Sequence, residues 1–342
     1  MGAGDVLGHE AMGVVEDVGA GVTELHAGDR VVVPFQISCD NCFMCNAGLY
    51  SQCETTQVRE YGSGAALFGY SRLYGEVPGG QAEYLRVPLA DHTHTKVPEG
   101  PADERFVYLS DVLPTAWQAV EYADIPDGGT VLVLGLGPIG DMACRIAQHK
   151  GARVIATDLV PERLQRASAR GVTVLDHREH EKDLGDSVRD LTQGRGPDSV
   201  IDAVGMEAHG SPIPKLMQTL TGYLPDALAQ PLMQRVGIDR LAAFYTAIDA
   251  VRRGGTISLS GVYGGMSDPL PMLVLFDKQV TLRMGQANVK HWVDEIMPLL
   301  VDDDPLGVEQ FATHRLTLDD APRAYEMFQK KQDGMVKVVM RP

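Results

Sequence analysis

The 342-residue sequence predicts an α/β protein of two domains, one rich in β structure and one built on a doubly wound parallel sheet. Three observations carry this. The chain is too long for one ordinary core. Its first hundred residues read as short Val-rich strands broken by Gly-rich turns. After Pro101 strand and helix signals alternate, which is the pattern of βαβ units on a parallel sheet.

The elements follow in order. Residues 11–18 and 30–33 are Val-rich strands, separated by a Gly-rich turn and the segment HAGD. Residues 81–87 alternate as a third strand. The stretch 61–80 before it is dense in Gly and Tyr, and long loops of this kind are usually functional or mobile. Residues 103–124 carry helical periodicity. Then come a strand at 130–134, a helix at 138–150, a strand at 153–157, a helix from Pro161 and a strand at 199–204. An insertion containing Pro and Met, at about 205–236, interrupts the alternation. A helix near 238–253 and strands at 256–260 and 280–283 resume it, and the tail 290–342 reads helix, strand, helix, strand.

Composition narrows the function classes. Apolar content of 44% and charged content of 22% are ordinary for a soluble globular chain. A net charge of −16 argues against nucleic acid or an anionic membrane as partner, since both demand clustered Lys and Arg. No apolar run reaches bilayer length. The run MGAGDVLGHE reads as neither a secretory nor a myristoylation signal, and the expected compartment is the cytoplasm.

Cys39, Cys42, Cys45 and Cys53 are spaced C-x2-C-x2-C-x7-C. Four thiolates this close converge on one tetrahedral ion, and S4 ligation is the closed, structural zinc arrangement. A disulfide framework would need an oxidising compartment. A closed site leaves no position for substrate, so this zinc is scaffold.

Gly135, Gly137 and Gly140, with Leu136, Pro138 and Ile139, form a G-x-G-x-x-G after the strand TVLVL and at the start of a helix. In that context the glycines let a pyrophosphate approach the helix N-terminus, where orphan N–H groups favour anions. Asp158 ends the next strand. A carboxylate there accepts from a ribose diol and repels a 2′-phosphate, which favours NAD over NADP; it also can cap the helix from Pro161. His9 and Glu10 precede the first strand, and Asp111 sits in an apolar helix start, where a carboxylate needs a partner. Read separately, His9 is a surface histidine and Asp111 a cap or ion-paired residue. Read together, histidine and carboxylate are two of the three protein ligands of an open catalytic zinc.

With GHE, AGDRVVV, the four-cysteine lobe, GLGPIG and Asp158, the chain resembles the zinc-containing medium-chain alcohol dehydrogenases. It resembles most the branch of glutathione-independent formaldehyde dehydrogenase and formaldehyde dismutase. That branch has Asp at the last catalytic zinc ligand, as SDVLPTAW has here, and an insertion after the strand that ends in DAVG. The resemblance implies a GroES-like catalytic domain, shortened at its N-terminus, from residues 1–111 and 287–342, and a Rossmann domain over 112–286. It implies a catalytic zinc on His9 and Asp111, with Glu10 behind it or as an alternative ligand. It places Thr115, Val204, Gly261, Val262 and Gln286 on the nicotinamide side, Arg163 near the adenosine ribose and Lys337 toward the pyrophosphate. Cys144 is left as an inert buried residue. The implied reaction is NAD-dependent oxidation of a primary alcohol or aldehyde hydrate. Alternatives are aldehyde dismutation with retained NAD, and a chain that binds NAD and zinc with little catalysis. A zinc-free quinone reductase would leave both GHE and the cysteine lobe without a role. The implied assembly is a homo-oligomer, dimer or tetramer. The family's first catalytic zinc ligand is a Cys in a C-G-[ST]-D-x-H segment ahead of GHE, and this sequence holds no such segment. The expectation is therefore an incomplete catalytic zinc site and weak activity, with Met1 an internal methionine or the chain a fragment.

Overall fold

The computed structural model describes residues 2, 4–180, 183–205, 241–263 and 270–342. The chain divides into two compact units, residues 1–118 with 286–342 and residues 119–285. The division falls inside the helix Val112–Ala123. The insertion, beyond Gly205, and the first residues of the helix expected from 238 lie outside the described residues.

In the first unit, β1 (Ala11–Val14) runs antiparallel to β2 (Arg30–Val33), which runs antiparallel to β3 (Thr95–Lys96). The β-branched run Val31, Val32, Val33 is buried, as suits a pleated surface covered by a core. Val33 packs with Ile37, Ala66 and Phe68. β1 is shorter than the expected 11–18, because the acidic, glycine-interrupted run after Val15 meets no partner strand among the described residues. The strand expected at 81–87 does not form. The amides of Gly79, Gly80 and Gln81 donate instead to the carbonyls of Val6, Gly8 and Leu7. Beyond Gln81 the alternation survives as packing, with Leu85 and Val87 against the Phe68 cluster, but without a ladder. The helix expected over 103–124 is broken. A turn of helix Asp103–Phe106 and a 3₁₀ turn Val107–Ser110 precede the helix Val112–Ala123, and the break is Asp111, at φ −158° and ψ −71°. The tail gives the helix Val289–Val301, β10 (His314–Thr317), the helix Ala321–Lys330 and β11 (Val338–Arg341), with β10 and β11 parallel.

Among the described residues, the second unit is a six-stranded parallel sheet. Its strands are β4 (Thr130–Leu134), β5 (Arg153–Asp158), β6 (Thr173–Asp176), β7 (Ser199–Asp202), β8 (Thr256–Leu259) and β9 (Thr281–Met284), in the order β6-β5-β4-β7-β8-β9. With β4 counted first, this is the 3-2-1-4-5-6 order of the Rossmann fold. The central strands are apolar almost throughout because helices cover both faces of such sheets; Leu132, Ile155, Val200 and Ile257 are fully buried. β6 has no strand signal in the sequence, because its four residues of intermediate burial carry too little periodicity. Among the described residues, no helix is long and apolar enough to cross a membrane.

Candidate active site

The four cysteines are free thiols whose sulfurs all lie within 4.8 Å of one another. Asp40, in the left-handed region at φ 60°, turns the chain so that Cys39 and Cys42 face the same point. Cys42 caps the short helix Phe43–Asn46, accepting from the Cys45 amide, and takes a second N–H from Glu54 at 3.4 Å. The Thr55 hydroxyl donates to the Cys39 sulfur at 3.1 Å. Burial alone would raise the Cys39 thiol, but the Thr55 hydroxyl and the amides of Asn41 and Cys42 outweigh it and lower it to about 6. Cys42 is lowered too, whereas burial and its cysteine neighbours push Cys45 up. A lobe that aims donors at its sulfurs and gathers four of them fits a tetrahedral thiolate-bound zinc.

The second cluster is His9, Glu10 and Asp111, whose ligand atoms also lie within 4.8 Å of one another. His9 Nε2 is 2.8 Å from Asp111 Oδ2. The Thr115 hydroxyl donates to Asp111 Oδ1 at 2.6 Å, and Lys337 Nζ donates to Glu10 Oε2. Burial disfavours the charged forms of both His9 and Asp111. Their mutual contact wins, so the His9 pKa is raised and the Asp111 pKa lowered, the latter helped by Thr115 and Lys337. One nitrogen and two carboxylate donors turned to one point fit a divalent ion that accepts N and O ligands, zinc among them.

Part of the surroundings of His9 comes from the loop rich in Gly and Tyr, and part from the chain just beyond β2. The Tyr70 ring lies 5.0 Å from the imidazole, Phe35 meets its edge at 5.6 Å, and Tyr74 packs edge-on against Tyr70. The glycines of that loop allow this approach. A side chain on Gly69 or Gly79 would strike the Gly8 backbone, next to His9. Tyr70 and Tyr74 had no signal in the sequence beyond this loop composition, and Phe35, two residues beyond β2, had none. Lys337, expected to face a pyrophosphate, is engaged by Glu10 through its ammonium group.

In the second unit Gly135, at φ 83°, ends β4, and Gly137 is the N-cap of the helix Pro138–His149 with Pro138 in its first turn. A side chain on Gly140 would collide with the Gly135 carbonyl oxygen, so the third glycine is needed for the helix to close on the strand end. Asp158 pins this loop. Its Oδ2 accepts from the Leu136 amide at 2.6 Å, and its Oδ1 accepts from the Leu159 and Val160 amides at 2.7 and 2.8 Å. Arg163 Nη1 sits 3.8 Å from the same carboxylate, with its Nε buried and without a hydrogen-bond partner among the described residues. Ile139 is partly buried in the first turn of the helix. Val204 packs over Gly135, and the Gly261–Val262 backbone touches Gly205, so these strand ends converge. Fully buried Asp202 ties them: Oδ1 accepts from Val204 and Gly205, Oδ2 from the Tyr263 hydroxyl, and its carbonyl from Ser260 and Gly261. Burial raises the Asp202 pKa despite these donors. Thr115, Gln286 and Lys337 belong to the first unit, as do His9, Glu10 and Asp111. The Gln286 carbonyl accepts from Gln118 Nε2 at 3.3 Å.

Residues 2–99 match the alcohol dehydrogenase GroES-like domain, and residues 138–220 match the zinc-binding dehydrogenase family. A zinc-type alcohol dehydrogenase-like protein of Bacillus subtilis is 41% identical over 98% of this chain and 85% of its own. Glutathione-independent formaldehyde dehydrogenase of Pseudomonas aeruginosa is 32% identical over 95% of this chain and 80% of its own. The solved alcohol dehydrogenase of Thermus sp. ATN1 superposes with a TM-score of 0.81 at 34% identity, over 99% of this chain and 84% of that one. A GroES-like domain and a Rossmann domain, with two zinc-competent clusters, define the class: an oxidoreductase. The chain belongs to the zinc-containing medium-chain alcohol dehydrogenases.

Proposed function

We propose that the protein oxidises a primary alcohol or an aldehyde hydrate, passing a hydride to NAD at a zinc site. The observation that carries this is the His9–Asp111 pair at 2.8 Å with Glu10 in the same cluster. His9 and Asp111 would hold the ion, and Glu10, kept by Lys337, stands ready behind it. When bound, zinc supplies a Lewis acid that lowers the pKa of a substrate hydroxyl, and NAD supplies the hydride acceptor. Phe35, Tyr70 and Tyr74 give the His9 side of the site an apolar wall suited to a small substrate. Likeness to a formaldehyde dehydrogenase adds formaldehyde hydrate to the short alcohols as a candidate.

Asp158 supports NAD over NADP, with Gly135, Gly137, Pro138, Ile139 and Gly140 as the pyrophosphate cradle and Arg163 at the ribose. Thr115, Val204, Gly261, Val262 and Gln286 complete the cofactor contacts of this reading, while the Lys337 ammonium is committed to Glu10. Residues 1–111 with 287–342 would be the catalytic domain and 112–286 the cofactor domain. Cysteines held as zinc ligands suit a reducing compartment such as the cytoplasm. The test is NADH formation by purified protein with formaldehyde and with short primary alcohols, NAD and NADP in parallel, before and after His9→Ala. Turnover that survives the loss of His9 would overturn the assignment.

A further inference from the structure

We infer that Thr115 decides which oxygen of Asp111 faces the metal, and so makes this carboxylate a one-oxygen ligand. The inference rests on reading His9 and Asp111 as zinc ligands. Asp111 stands just before the helix Val112–Ala123, and Thr115 is one turn further on. A helical Thr ordinarily bonds its hydroxyl to the carbonyl four residues back. Here the Thr115 amide takes the Asp111 carbonyl at 2.9 Å, and the hydroxyl goes to the Asp111 side chain at 2.6 Å. Oδ1 is thereby occupied, and Oδ2 alone is turned to His9 Nε2. The Lys337 ammonium bonds Glu10, and among the described residues Thr115 is the hydroxyl that donates to Asp111.

The consequence is a choice of ion. A carboxylate free at both oxygens can rotate and chelate with both, which raises coordination number and suits larger, oxygen-seeking ions. Held at Oδ1, it offers one donor, as four-coordinate zinc requires. Thr115 is thus a positioning residue for metal selectivity. Hydrogen-bond partners of metal ligands typically carry a 10- to 100-fold share of affinity.

The experiment measures metal affinity by chelator competition on the full chain, without reference to turnover. The variants are Thr115→Val, which keeps shape but not the hydroxyl, Thr115→Ala, which removes it without adding bulk, and Thr115→Ser, which keeps it. Wild type and Thr115→Ser should hold the second zinc alike. Thr115→Val and Thr115→Ala should lose about tenfold or more in zinc affinity at that site, and their manganese-to-zinc affinity ratio should rise. Zinc retained at the cysteines reports that the unit is still folded. Unchanged affinity and selectivity in both hydroxyl-free variants overturns the inference. A wild type that takes up one zinc per chain and no more overturns the reading of His9 and Asp111 itself, and this inference with it.

Discussion

At the scale of single residues, Asp158 carries more than the sequence suggests. Three backbone amides converge on its carboxylate, one from the glycine loop and two from the start of the next helix. Its place at a strand end was legible, but the convergence on Leu136 depends on how β4 and β5 lie in the sheet. Replacing Asp158 with Ser should therefore do two things. It should narrow the preference for NAD over NADP by about tenfold, by removing the negative charge a 2′-phosphate would meet. It should also weaken both cofactors, since hydrogen bonds to a charged acceptor are worth about 1.5–3 kcal/mol. Titration of both cofactors into wild type and variant tests this, and a wild type that prefers NADP contradicts it. Gly140→Ala belongs to the same scale. Its methyl group would collide with the Gly135 carbonyl, so the loop must shift at a cost of about 1–3 kcal/mol. Denaturant unfolding should show that loss, and cofactor binding should fall with it.

At the scale of elements, the informative feature is the broken helix. Periodicity over residues 103–124 is real, yet the chain leaves helical geometry at Asp111. The break turns the carboxylate toward His9, a residue 102 positions earlier that no local pattern could supply. The cysteine lobe is the opposite case, because its ligands lie within one short segment and their spacing alone pointed to the metal. Cys45→Ser should remove one zinc per chain and lower the thermal midpoint by more than about 5 °C, given that about 1 kcal/mol moves a unit of this size by 2–4 °C. Metal analysis with calorimetry reads both.

The start of the sheet offers a pH test. Asp198 accepts from the Thr130 amide at 2.8 Å and from Arg252 Nε at 2.7 Å, which joins the entries to β4 and β7. Burial would raise its pKa, but these donors prevail and lower it. A lowered folded pKa contributes stability above the ordinary carboxylate range, and that stability is lost as pH falls through the folded value. Asp198→Asn should be less stable than wild type by about 1–3 kcal/mol near neutrality. The gap should shrink as the solution is taken down through the ordinary carboxylate range and below it. Denaturant midpoints across that range check this; a gap that holds constant would remove Asp198 as its source.

At the scale of the whole molecule, one face of the second unit is uncovered among the described residues. β9 is an edge strand whose four residues are all exposed, Leu282 and Met284 among them. The helix Met272–Lys278 before it exposes Leu273 at 72% and Phe276 at 79%. Natural proteins rarely leave an apolar edge strand open to water, because it invites pairing. A second copy of the chain, laying its own β9 and helix on this face, is the expected cover, since one edge and one apolar patch are self-complementary about a two-fold axis. Analytical ultracentrifugation should find an assembly larger than the 37.0 kDa chain. Phe276→Glu with Met284→Lys should shift it toward the monomer, and a monomeric wild type would dispose of the idea.

The sequence by itself determined whatever is written locally. The four-cysteine spacing, the glycine loop, the βαβ alternation and the strand-end Asp158 each rest on residues within one element or one turn, where chain geometry alone fixes the neighbours. Tertiary structure decided the rest. It brought His9, Glu10 and Asp111 into one cluster, gave Lys337 to Glu10, placed Tyr70 against His9, and turned residues 81–87 from a strand into packing. The physical reason is common to all four. A contact between distant segments depends on where whole elements pack, and an alternating run becomes a strand only where a partner backbone lies alongside it.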